Sequence, residues 1–120
     1  MNQDLKKRTQ DFAISVIKVM EQLPNVSTFK IIHNQIIRSA TSVGANYRAA
    51  RRAKSTADFI NKLKIVEEEL DEAMYWLEIT RSLLPDKDAI FEPIYKESNE
   101  LLAIVVSAIK KARLNQEVKK

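Results

Sequence analysis

The chain has no cysteine, one glycine, three prolines and a single histidine in 120 residues. Without cysteine, disulfides and thiolate metal sites are excluded. One histidine, His33, leaves too little for a zinc site or a histidine-based catalytic triad. Scarce glycine and proline argue against a turn-rich β architecture, and the abundance of Ala, Leu, Ile, Lys and Glu points to an all-helical one. No apolar run approaches membrane-spanning length, and the N-terminal stretch MNQDLKKRTQD lacks an apolar signal core. The expectation is a cytoplasmic protein without a membrane partner. At this length, residues 1–120 are expected to form one domain around one core. Twenty Lys and Arg against sixteen Asp and Glu give a net charge of +4, a basic excess that permits attraction to polyanions without requiring it.

Four segments carry helical periodicity, over about 4–23, 28–54, 56–83 and 88–114. In the first, Leu5, Phe12, Val16, Met20 and Leu23 share a face, and Pro24 stops it. Ser27 is placed to cap the second, whose series Phe29, Ile36, Val43, Ala50 repeats every seven residues, with Ala40 and Tyr47 interleaved. Ser55, with Asp58 three residues on, approaches a capping box for the third. That helix carries Phe59, Leu63, Val66, Leu70, Ala73 and Leu77. The fourth carries Ile94, Leu101, Val105, Ala108, Ile109 and Ala112, and Pro93 near its start fits only a first turn or a kink. Short connections favour antiparallel neighbours. The fold class is therefore all-α, an antiparallel up-down-up-down four-helix bundle.

What lies off the core stripes bears on function. In SVGANYRAARRAKS, residues 42–55, four cations and the sole glycine occur with no acid. Gly44 mid-helix costs about 1 kcal/mol against alanine and stands in no phosphate-binding motif. It predicts a close helix contact, expected between the second and third helices. Gln35, Ser39, Ser42, Asn46 and Ala53 form a small, polar column, either a solvated flank or a close packing surface. Lys30, Arg38, Arg48 and Arg52 occupy another sector, with Arg51 and Lys54 nearby at the helix end. Such cations either complement the helix dipole as a solvated face or form a ridge for RNA or DNA phosphates. No aromatic side chain interleaves with them, so base stacking is not suggested.

On the third helix Ile65, Glu69, Glu72, Trp76 and Ile79 make a second apolar-and-acidic face. It reads as an oligomer interface, where the carboxylates meet Arg or Asn of a neighbouring copy; whether Arg48, Arg51 and Arg52 are those partners or stay free is left open by the sequence. As catalysis, Glu69 and Glu72 would be an acid–base or metal pair, but di-metal bundles need Glu-x-x-His partners that this chain lacks. No enzyme activity, cofactor, metal or small-molecule substrate is expected.

The stretch from Ile36 to Leu77, with Arg38, Ser42, Asn46-Tyr47-Arg48, Ala50-Arg51, Ser55, Asp58-Phe59-Ile60, Lys62-Leu63, Glu69, Glu72 and Tyr75-Trp76-Leu77, resembles the bacterial four helix bundle protein family. Its members are also called 23S rRNA intervening-sequence or S23-type proteins, a name that records a gene location. Ala49 and Ala73 stand where the family pattern has glutamate and threonine, and the loss of that glutamate makes segment 48–54 more basic than usual. The resemblance implies a homopentameric ring of bundles without known enzymatic activity. The family is similar to the accessory variability protein of diversity-generating retroelements, a basic pentamer associated with nucleic acid. Two functions follow: an oligomeric nucleic-acid-binding or ribonucleoprotein accessory module, or a structural protein–protein adaptor that binds no nucleic acid.

Overall fold

A computed structural model describes residues 4–24 and 26–118. It contains four helices: α1 (Leu5–Met20), α2 (Ser27–Arg51), α3 (Thr56–Leu83) and α4 (Asp88–Val118), with a short 3₁₀ turn at Pro85–Lys87 before α4. Each helix packs on its chain neighbours and α4 closes against α1, while the diagonal pairs α1–α3 and α2–α4 do not approach. This is the up-down-up-down arrangement, drawn out to 54 × 21 × 21 Å. No helix among the described residues is long and apolar enough to cross a membrane.

Local chemistry sets the helix ends. Asp4 caps α1 by accepting from the Lys7 N–H at 3.2 Å. Ser55 Oγ accepts from the Asp58 N–H at 3.0 Å, and the Asp58 carboxylate reaches back to the Lys54 N–H at 3.2 Å. That reciprocal pair satisfies otherwise orphaned donors and fixes the tight turn from α2 into α3. At the start of α2 the expected cap differs. Val26 occupies the cap position with no side-chain hydrogen bond, and Ser27 is already the first helical residue. Three further boundaries move. α1 stops at Met20, ahead of Leu23, and α2 stops at Arg51, ahead of Lys54. α4 runs on to Val118 and contains Pro93. With the 3₁₀ turn leading in, that proline falls in the second turn of α4 and is exposed, so the helix continues past it at the cost of one N–H bond.

The core follows the periodic stripes. Phe12, Val16, Met20, Ile36, Ala40, Val43, Leu63, Val66, Leu70, Leu77, Leu101 and Val105 are all buried. Among the described residues seven buried positions escaped the pattern: the apolar Ile32, Ile60 and Phe91 and the polar Thr9, Ser39, Thr80 and Ser98. Phe59, placed in the α3 stripe by spacing, is half-buried beside Ile60. Ser39 is tolerated inside because its hydroxyl donates to the Gln35 carbonyl at 2.8 Å, leaving no unsatisfied donor.

Gly44 corrects the expected crossing. Its open side faces Thr9 of α1 rather than α3, and a Cβ there would lie 3.4 Å from Thr9 Oγ1. Thr9 is itself buried and donates to the Leu5 carbonyl at 2.8 Å. The absent side chain thus marks where α1 approaches α2 closely. A methyl group fits at ordinary contact distance, so Gly44→Ala is expected to gain about 1 kcal/mol of helix propensity and raise the melting temperature. Gly44→Leu cannot be housed against Thr9 and is expected to lose roughly 1–3 kcal/mol. Equal melting temperatures for the two variants would contradict the close α1–α2 contact.

Candidate nucleic-acid interface

Three arginines brace three of the four seams between helices, each gripping two carboxylates on the neighbouring helix. Arg8 of α1 meets Glu97 at 2.7 and 2.9 Å and Glu100 at 2.8 Å on α4. Arg81 of α3 meets Asp88 at 2.7 and 2.8 Å and Glu92 at 2.8 Å on α4, and its guanidinium lies 5.5 Å from the Tyr95 ring centroid. Arg38 of α2 meets Glu69 at 3.3 Å and also pairs with Glu72 on α3. In each case the acids stand three or four residues apart, one helical turn, so both fall within one guanidinium's fork. Hydrogen bonding from Arg81 holds the Asp88 carboxyl below its usual range. Tyr95 donates to Glu78 at 2.7 Å, and that bond raises the phenol above its ordinary value.

The Arg38 fork changes the reading of two sets of candidate residues. The sequence leaves open whether Arg48, Arg51 and Arg52 pair with Glu69 and Glu72; within the chain those acids pair with Arg38, roughly three to four helical turns before those cations. Trp76 joins the same group, its indole N–H donating to Glu72 at 3.3 Å. Ile65, Trp76 and Ile79 are half-buried, the last two packed against the core. What remains open on α3 is Tyr75, 57% exposed, and Leu83, 51% exposed. With Glu78, Ile79 and Ser82 they line a shallow cleft of about 250 Å³.

The fourth seam, α1–α2, carries no ion pair among the described residues. There Lys6 of α1 and Arg48, Arg51 and Arg52 of α2 line an open cleft of about 240 Å³. All four side chains are exposed. Among the described residues their side chains make one long polar contact, Arg48 Nη2 to Gln10 Oε1 at 3.5 Å. Sequence spacing had grouped Arg48, Arg51 and Arg52 but not Lys6, which lies over forty residues earlier. Antiparallel packing of α1 on α2 is what brings it in. Of the other cations, Lys54 is exposed on the α2–α3 turn, and Lys30 is exposed near the opposite end of α2. Some 22 residues of helix, about 33 Å, separate Lys30 from Arg52.

Glu72 offers a test of the fork. The hydrogen bond from Arg38, with that from Trp76, holds its carboxyl below the ordinary value. The pair therefore contributes fully above the ordinary carboxylate range, and that contribution is lost as pH falls through the lowered value. Trp76 is the sole tryptophan, so its fluorescence reports this site alone. A fluorescence transition below the usual carboxylate pKa of about 4.3 is expected, moving upward in Arg38→Gln. An unmoved midpoint would show that Arg38 does not govern Glu72.

The family of 23S rRNA-intervening sequence proteins matches the chain over residues 1–107. No curated protein matches it. Among solved structures, a protein with unknown function from the S23 ribosomal protein family of Bacteroides thetaiotaomicron is similar. It shares 36% sequence identity and a TM-score of 0.82, over 89% of this chain and 99% of that one. The four helices, their stripes and the Asn46 to Leu77 stretch thus have a shared origin: the chain belongs to the 23S rRNA-intervening sequence protein family.

Proposed function

We propose that the protein is a non-enzymatic, cytoplasmic, homo-oligomeric bundle that binds the phosphate backbone of RNA or DNA through the α1–α2 cleft. The observation that carries this reading is the convergence of Lys6, Arg48, Arg51 and Arg52 on one cleft, with no acid among the described residues that line it. Guanidinium groups recognise phosphate oxygens through paired hydrogen bonds, and no aromatic lines the cleft to stack a base. Contact is then with the backbone and indifferent to sequence. Lys54 lies close enough in the chain to extend the basic surface. Lys30 would touch only a strand long enough to run the length of α2. Arg38 is committed to Glu69 and Glu72 and contributes little.

The assembly is a ring of five by resemblance to the family. Repeating one modest site around a ring raises overall affinity through effective concentration. The face offered for that contact lies on α3 around Ile65, Glu69, Glu72, Trp76 and Ile79. Its accessible apolar part is shifted toward Tyr75 and Leu83. The same strip favours the second reading, a protein–protein adaptor without nucleic-acid binding.

Binding is expected to weaken with salt, log affinity falling against log salt with a slope of roughly 0.7–0.9 per phosphate neutralised. Arg48→Glu with Arg52→Glu should lower affinity for every sequence alike and flatten that slope, with oligomer mass unchanged. Failure to bind RNA or DNA at low salt, or loss of the oligomer in this double variant, would give the adaptor reading the lead. Light scattering should return a multiple of the 13.8 kDa chain mass. Tyr75→Asp with Leu83→Asp should reduce it toward the monomer, and a wild-type monomer at micromolar concentration would remove the ring.

A further inference from the structure

The seams of the bundle are not treated alike. α1–α4, α2–α3 and α3–α4 each place an arginine of one helix between two carboxylates of the next. At α1–α2 the cation-bearing positions are present on both sides, Lys6 on one and Arg48, Arg51 and Arg52 on the other. No carboxylate stands among the described residues that line the cleft there. Like charges facing one another across a packed seam repel, and no carboxylate among the described residues pairs with them. An anion from outside the chain would occupy the role that Glu97 with Glu100, Glu69 with Glu72 and Asp88 with Glu92 perform elsewhere.

The shape of the cleft narrows the class of anion. At about 240 Å³ it is smaller than the roughly 300–1,000 Å³ typical of pockets for drug-sized ligands, and the described residues that line it are all cationic. It suits a compact, highly charged group better than a base or a sugar. Arg48 and Arg51 stand in the last turn of α2 and Arg52 at its C-cap. The helix dipole presents its negative end there, so attraction rests on the side chains alone. Four side-chain charges exceed what one internal phosphodiester, with a single charge, can balance. A terminal phosphate monoester carries about 1.5–2 negative charges near pH 7, and phosphates linked in series concentrate more charge in the same volume.

We infer that the α1–α2 cleft is a site for a compact polyphosphate, two or three linked phosphate groups, borne on the 5′ end of an RNA or free in solution. The inference rests on the anion-binding reading of the cleft and specifies what that cleft prefers. In the bound state the phosphates bridge α1 to α2 and complete the fourth seam.

The test uses one RNA sequence labelled at its 3′ end and carrying a 5′-triphosphate, a 5′-monophosphate or a 5′-hydroxyl, alongside calorimetric titration with inorganic tripolyphosphate. The triphosphate end should bind about ten-fold tighter or more than the hydroxyl, with the monophosphate between, and tripolyphosphate should displace it. Arg48→Gln with Arg51→Gln, and separately Lys6→Gln from the other helix, should remove the preference while the thermal melt stays cooperative. All three sites are exposed, and their neutral replacements relieve repulsion. Tripolyphosphate binding without any RNA binding would support the site with a free polyphosphate as its source, and would remove the nucleic-acid reading. Equal affinity for the three RNA ends, with no tripolyphosphate bound, would overturn the inference and leave backbone binding standing. Tripolyphosphate binding undiminished in both variants would overturn it too, by placing the anion elsewhere. No binding of either ligand would end both readings.

Discussion

Leu63, Val66, Leu70 and Leu77 of α3 share one core with Ile36, Ala40 and Val43 of α2, and this antiparallel seam is the most extensive in the molecule. Fully burying such a side chain is worth about 1.5–3 kcal/mol, so the seam outweighs any surface pair. It also fixes register. Sliding α3 by one turn would take Glu69 and Glu72 out of reach of Arg38 and pull the Ser55–Asp58 cap away from the end of α2. α4 then lies along α3, joined through the Arg81 fork at the connecting turn. α1, with 16 residues the shortest helix, is added to the outside of this frame. It is held by its buried Thr9, Phe12, Val16 and Met20, by the Thr9–Gly44 approach and by Arg8.

Charge is sorted against that frame. The forks of Arg8, Arg38 and Arg81 engage three cations and six carboxylates. Exposed ion pairs contribute only about 0–1 kcal/mol each, so their larger effect is on specificity: each fork accepts one pairing of helices and one register. The acids are used where helices α3 and α4 face an arginine, and the segment that ends α2 has none. Its arginines complement the helix dipole, and Lys6 is brought beside them by packing that apolar contacts have already determined. A basic excess of only +4 over the chain becomes a local concentration of four charges with no carboxylate partner among the described residues. Bulk charge did not foretell it.

The fold was legible because a core stripe is a local property. Leu63, Val66, Leu70, Ala73 and Leu77 announce a buried face from spacing alone, and Ser55 with Asp58 announces the start of α3. The errors fell where spacing is silent. Ser27 has the right side chain for a cap, yet Val26 holds the position, because the chain's path out of α1 decides where α2 begins. Ser39 reads as a polar flank and is buried, since its hydroxyl is satisfied within its own helix. Pro93 reads as a first-turn residue or a kink and lies in the second turn, because α4 already begins five residues earlier at Asp88. Gly44 signals a close approach, but a glycine carries no information about which neighbour approaches.

By itself the sequence determined four amphipathic helices, their order, the caps built from adjacent residues and a cluster of arginines at the end of α2. These depend on side chains within a few turns of one another along one helix. The tertiary structure alone decided partners. It gave Glu69 and Glu72 to Arg38, turned Gly44 toward Thr9, and set Lys6 across from Arg48, Arg51 and Arg52. Each of those meetings joins residues tens of positions apart. Their distance is set by how two helices tilt and slide as they bury their stripes, and periodicity along one chain segment does not encode that slide.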